Sequence, residues 1–176
     1  MVMEFRKMRR IRQELDRESC LEMINRATSG VLSVMGDEGY PYGVPMSYVF
    51  APSDAEGVPD RFFFHCAKTG HKADAIRACD KACFTIVDRD DVVADEFTTY
   101  YRSVIAFGRA RLLETPEEIL PAIKLLTDRY SPDEAEEKKS GEINKQLPAL
   151  MMIELDVEHM TGKEAIELVR KRAKYE

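Results

Sequence analysis

The chain has no tryptophan, and only three histidines and four cysteines among its 176 residues. It has no GxGxxG and no GxxxxGK(S/T), so neither standard glycine-rich nucleotide loop is present. It has no CxxC. Cys20, Cys66, Cys79 and Cys83 are too few for a disulfide framework in a chain this long, and buried free thiols are expected. His65, Cys66, His71, Cys79 and Cys83 crowd together, but without regular ligand spacing, so no metal site is expected. Positive charge is not in excess: 26 Lys and Arg face 32 Asp and Glu, for a formal net charge of −6. That balance argues against bulk binding to nucleic acid or a membrane surface. No long apolar run follows the basic cluster of Arg6, Lys7, Arg9, Arg10 and Arg12. Neither a signal peptide nor a membrane span is therefore expected, and the reading is cytoplasmic.

What is present is a folded composition, 44% hydrophobic and 33% charged, of a length that suits one domain, 1–176. Its most informative stretch runs from Phe62 to Lys72. Phe62, Phe63 and Phe64 suit a strand buried on both faces. Lys68, Thr69 and Gly70 make a turn, and His71 to Cys79 follows with a helical apolar pattern at Ala75, Ile76 and Cys79. N–H groups at a helix start attract anions, and a lysine there adds a full charge. Strand, turn and helix together make a candidate phosphate cradle beside an apolar wall.

The rest of the chain reads as follows. Residues 1–14 form a loosely held basic arm. Asp16–Ala27 is a helix capped by Asp16 or Ser19, with Leu21, Ile24 and Ala27 on its apolar stripe. Strands are expected at Val31–Met35, Pro45–Phe50, Arg61–His65, Ala82–Val87, Thr98–Leu113 and Ala149–Val157. Gly36–Gly39 is a hairpin-type turn, Asp88–Glu96 an exposed loop, and Gly108 a bulge or bend within a long strand. Thr115-Pro116-Glu117-Glu118 opens a helix with Ile119, Ile123, Leu126 and Tyr130 on one face. Residues 131–146 read as a mobile polar excursion, and Glu164–Lys174 as a last helix. Six strands without regular crossover helices argue against a doubly wound sheet. The expectation is a mainly β (α+β) fold: a small, six-stranded, antiparallel Greek-key barrel with peripheral helices.

Four segments, in this order, carry a resemblance: Met8-Arg9-Arg10, Gly39 to Val49, Phe63 to Lys72, and Tyr100 to Ala110, with Ile153 to Gly162 fitting near the end. The chain resembles the pyridoxamine 5′-phosphate oxidase-like FMN-binding split-barrel proteins, and within them the nitroimidazole-resistance (Nim)-like branch. The resemblance implies a homodimer with FMN at the subunit interface. Met46, Ser47 and Tyr48 fall on the strand that lines the flavin, and Phe64, His65 and Cys66 at the ring-to-phosphate strand end. His71 and Lys72 fall where the wider family has an Arg-Lys phosphate pair, so His71 departs from it; imidazole is a weaker phosphate partner than guanidinium. Arg102 and Ser103 face the cofactor from the other side. The implied activity is an oxidoreductase that passes electrons from reduced FMN to a small acceptor such as a nitro-aromatic, with His65 as candidate catalytic residue. Alternatives are a non-catalytic flavin-binding or storage protein, and a split barrel that binds haem or another cofactor.

Overall fold

The computed structural model describes residues 4–174. Its frame is one antiparallel sheet. The strands are β1 (Glu14–Leu15), β2 (Gly30–Met35), β3 (Pro41–Met46), β4 (Val49–Ala51), β5 (Arg61–Ala67), β6 (Lys81–Val93), β7 (Thr98–Leu113) and β8 (Leu150–Glu164). They lie in the order β3-β2-β6-β7-β8-β5-β4, with β1 added against β8. The first and last strands of this path are successive in the chain. The sheet therefore curls until its two edges meet at Ser47 and Tyr48, joined there by covalent chain. Around it lie helices α1 (Arg17–Arg26), α2 (His71–Ala78), α3 (Pro116–Tyr130), α4 (Glu136–Gln146) and α5 (Ile166–Arg172).

Strand alternation builds two cores. Phe62, Phe64 and Cys66 turn into the barrel, with Leu32, Tyr48, Phe84, Ala106, Ile153 and Leu155, and α1 adds Cys20, Met23 and Ile24. Phe63 turns the other way, with Val49, Leu113, Leu150 and Met152, and α3 covers them with Ile119, Ala122, Ile123 and Leu126.

The expected fold class holds, and the strand count rises from six to eight. β1 is two residues long, too short for a periodic signal. Ser47 and Tyr48 break the expected second strand into β3 and β4. Pro41 and Pro45 sit in β3 at a sheet edge, paired only with β2, where a missing N–H is tolerated. The region 88–96 is not a loop. β6 continues to Val93 against Thr98–Arg102 of β7, with a register shift between Val87 and Arg89. Its acidic residues hid a strand whose side chains meet charge and ring instead of an apolar core: Asp88 pairs with Arg26 of α1, and Arg89 lies over the Tyr100 ring.

The basic arm is docked along the part that is described; residues 1–3 lie outside the described residues. Phe5 stacks on His159 with ring centroids 4.6 Å apart. Gln13, 3% exposed, donates to the Glu164 carbonyl at 2.7 Å. Residues 136–146 form α4 rather than irregular chain. Lys139 pairs with Asp128 of α3, and Ile143 and Leu147 pack on the second core. Gly108 marks the expected irregularity: the β7–β8 register shifts between Phe107 and Gly108, and a Cβ there would stand 1.9 Å from the Asp156 carbonyl oxygen.

Candidate functional site

The site grows out of β5, the turn after it and the start of α2. Alternation places His65 on the opposite face from Phe64 and Cys66, partly exposed and directly across from Met152 in the β5–β8 ladder. The chain then turns at Gly70, whose φ of +126° is open to glycine and strained for other residues. α2 starts there without a side-chain cap, so no neighbouring side chain takes its first N–H groups.

α2 begins over β3. Lys72 is half-buried, and its Nζ lies 3.5 Å from the Met46 sulfur. Burial lowers the His65 pKa below the usual histidine value, and the Lys72 charge lowers it further. Burial raises the Cys66 thiol, against the pull of Lys72 and Arg77. Lys72, Met46 and His65 thus form one neighbourhood. His71 is turned toward the β2–β3 hairpin: its ring stacks on Tyr42 with centroids 4.1 Å apart. Its Nε2 lies 3.6 Å from Asp37 Oδ2.

Ser47 is exposed at the junction where the sheet edges meet. Tyr48 is fully buried. Its hydroxyl donates to the Ile24 carbonyl at 2.6 Å, and burial pushes its pKa up. The side chains of Met46, Tyr48, Phe64 and Cys66 belong to the barrel core, so what these residues offer at the surface is mostly backbone. Sequence reasoning missed the anchor of this junction. Tyr130 Oη accepts from the Tyr48 N–H at 3.1 Å and donates toward the Thr28 carbonyl at 2.6 Å. The Arg129 guanidinium lies 4.9 Å from the Tyr48 ring centroid. Both anchors lie at the end of α3, where no local pattern announces a contact with residue 48.

Arg102 and Ser103 lie off the ladder row of His65. They pair with Glu164 and Lys163 on β8, whereas Met152 pairs with both His65 and Leu113. Round the other side of the barrel, Met46 faces Gly30, Val31 faces Thr85, and Thr85 faces Ile105, so the Met46 row meets β7 near Val104, close to Ser103 and Arg102. Arg102 Nε is buried with no hydrogen-bond partner among the described residues.

All four cysteines are free thiols, two buried and two half-buried. Among the described residues, no helix is long and apolar enough to cross a membrane.

A split antiparallel barrel with an uncapped helix start, a lysine and a histidine at one edge has the architecture of the FMN-binding split barrels. The family model described as pyridoxamine 5′-phosphate oxidase matches residues 16–164, and the chain belongs to that family. No curated protein matches it in sequence. Among solved structures, it is similar to a protein of Bacteroides thetaiotaomicron described as a candidate 5-nitroimidazole antibiotic resistance protein. That pair is 20% identical over 86% of each chain, with a TM-score of 0.67. A conserved hypothetical protein of Mycobacterium tuberculosis is 16% identical over 90% of each chain, with a TM-score of 0.71. An FAD- and haem-binding protein of Mycobacterium smegmatis is 19% identical over 88% of this chain and 73% of its own, with a TM-score of 0.68. At these identities the likeness is one of fold.

Proposed function

We propose that the chain binds FMN at the start of α2 and acts as a homodimeric oxidoreductase, with electrons passing from reduced FMN to a small-molecule acceptor. The observation that carries this reading is the convergence of Lys72, Met46 and His65 at an uncapped helix start on a split barrel of this family. The residues fit the group. Lys72 and the first N–H groups of α2 suit a phosphate. Exposed Ser47, the backbone of Met46 and the outward face of β5 suit one side of a planar ring. His71, stacked on Tyr42, closes the hairpin side and leaves Lys72 as the main charge.

The second side comes from a second copy. The buried Arg102 Nε has no hydrogen-bond partner among the described residues, as suits a group completed by a second copy. Exposed Val92 and Phe97 at the β6–β7 hairpin tip, 75% and 97% accessible, supply apolar surface for such a contact.

When bound, FMN supplies the electron chemistry. The chain supplies position and protons. His65, with its pKa lowered, is neutral at pH 7, so its imidazole can donate one hydrogen bond and accept another. That suits an orienting residue that exchanges a proton with an acceptor oxygen more than a permanent cation.

A second reading, a split barrel holding FAD or haem, draws on the Mycobacterium smegmatis neighbour. The visible spectrum of the purified protein, with the cofactor then released by heat and identified, separates the two. Flavin bands and about one FMN per chain support the proposal. A haem band or released FAD overturns the FMN assignment. A colourless protein that takes up no FMN overturns both. Bound FMN without reoxidation by any acceptor leaves a storage protein instead of an enzyme.

A further inference from the structure

Outside the barrel, α3 and α4 leave a pocket of about 370 Å³ against the face of β5 that carries His65. Its apolar lining comes from Ile123, Leu126, Ile143 and Leu150, and His65 and Thr127 bring polar atoms to it. The volume suits a compound of one or two rings. The charges around it are already occupied. Lys139, 8% exposed, is held by Asp128 at 3.0 Å and Glu136 at 3.2 Å. Glu142, also in the lining, is paired with Lys145 at 3.7 Å. The Thr127 hydroxyl donates to the Ile123 carbonyl at 2.8 Å, so the one hydrogen it carries is spent. The His65 imidazole has no hydrogen-bonded side chain among the described residues, which leaves a donor facing an apolar hollow.

We infer that this pocket binds an uncharged ring compound bearing a carbonyl-type oxygen, its rings against Leu126, Ile143 and Leu150 and its oxygen on the His65 imidazole. An anionic ring compound is disfavoured there: it finds no free cation among the described lining residues, because the Lys139 charge is met by two carboxylates. The inference deepens the proposed function, on which it rests in one respect. His65 borders both the pocket and the flavin cradle, so a compound bound here lies on the acceptor side. α3 and α4 then determine acceptor selectivity, while α2 and β3 determine cofactor binding.

The test titrates the full-length protein with α-tetralone, an uncharged bicyclic ketone, and with naphthoate as the anionic counterpart, by saturation-transfer NMR. Ile143→Trp fills the pocket from a half-buried position on α4, and Gln146→Trp does so from an exposed one in case the first variant fails to fold. The expected result is saturable α-tetralone binding, naphthoate at least tenfold weaker, and at least a tenfold loss of α-tetralone affinity in whichever tryptophan variant keeps the parental melting temperature. Unsaturable α-tetralone binding, equal binding of naphthoate, or undiminished affinity in a folded tryptophan variant would overturn the inference. Flavin content is read separately from the visible spectrum, so a missing cofactor counts against the proposed function, and the titration against the pocket.

Discussion

The Lys72 ammonium stands 3.5 Å from the Met46 thioether sulfur, bridging the start of α2 and the end of β3. A thioether is a weak acceptor, and among the described residues no carboxylate pairs with Lys72. Its charge is located by packing and left without a counter-ion, the condition an anion site requires. Of the other cations, Arg17, Arg26, Arg61, Arg77, Arg109, Arg111 and Lys139 all meet carboxylates.

Lys72→Met should therefore keep the fold and weaken FMN binding. Loss of a charged phosphate partner costs on the order of 1–3 kcal/mol, or roughly tenfold to hundredfold in Kd. Fluorescence titration of the apo-protein measures it. An unchanged Kd would remove the cradle from the start of α2. The same substitution should raise the His65 pKa, since the Lys72 charge is one cause of its depression.

The depressed His65 pKa also makes stability depend on pH. In the unfolded chain histidine titrates near 6.5, and in the fold it titrates lower. Between those two values the unfolded state binds more protons, so stability falls as pH drops through that window. It is complete above the unfolded value and reaches its floor below the folded one. Melting temperature measured from pH 8 to pH 5 should fall less steeply in His65→Gln than in the parent. Two parallel curves would show that His65 is not the group responsible.

Tyr48 separates a structural role from a cofactor role. Its hydroxyl donates to the Ile24 carbonyl at 2.6 Å, but Arg129 donates to the same oxygen at 3.0 Å. Tyr48→Phe leaves that carbonyl partnered, so the cost should stay near ~1 kcal/mol, seen as a lower urea midpoint. FMN affinity should be unchanged, because the Tyr48 side chain lies in the barrel core. A large loss of FMN affinity with stability intact would mean that the ring turns outward when cofactor binds.

Gly108→Ala tests the join between β7 and β8. The added Cβ would meet the Asp156 carbonyl oxygen, a backbone atom that cannot swing aside. Overpacking of this kind costs about 1–3 kcal/mol or more, and the strand carries the ribbon that bears Arg102. A thermal melt reads the loss directly; an unchanged melting temperature would mean that the bulge relaxes freely.

Much of this was legible in the sequence because the signals were local. Phe62–Cys66 announced a buried strand, Thr115–Glu118 a helix start, and Gly108 a bulge. The acidic run after Val87 misled because its side chains meet Arg26 and Tyr100 instead of an apolar core, so no apolar alternation marks it. α4 was missed because its apolar contacts reduce to Ile143 and Leu147 and its buried group is a lysine. Within the site, the type of residue at 46, 65 and 72 pointed to one place and the fold brought them together. For Tyr48, Phe64 and Cys66, family position could not say which way the side chains face; the strand alternation decides that. The burial of Arg102 Nε without a partner was invisible, because side-chain burial is a tertiary property.

That unpartnered group yields the sharpest prediction. If Arg102 completes the flavin site of a second copy, Lys72→Met and Arg102→Ala damage opposite halves of each site. Either variant alone has two impaired sites per dimer. In a mixed dimer one site carries both substitutions and the other carries none. Denaturing the two variants together, refolding them and titrating FMN should then recover parental affinity at about a quarter of all sites, because random pairing makes half the dimers mixed. The unmixed variants, refolded separately, should recover none. If the mixture binds only as the average of its parents, Arg102 acts within its own chain or not at all on the cofactor, and the unpartnered Nε at position 102 needs a different explanation.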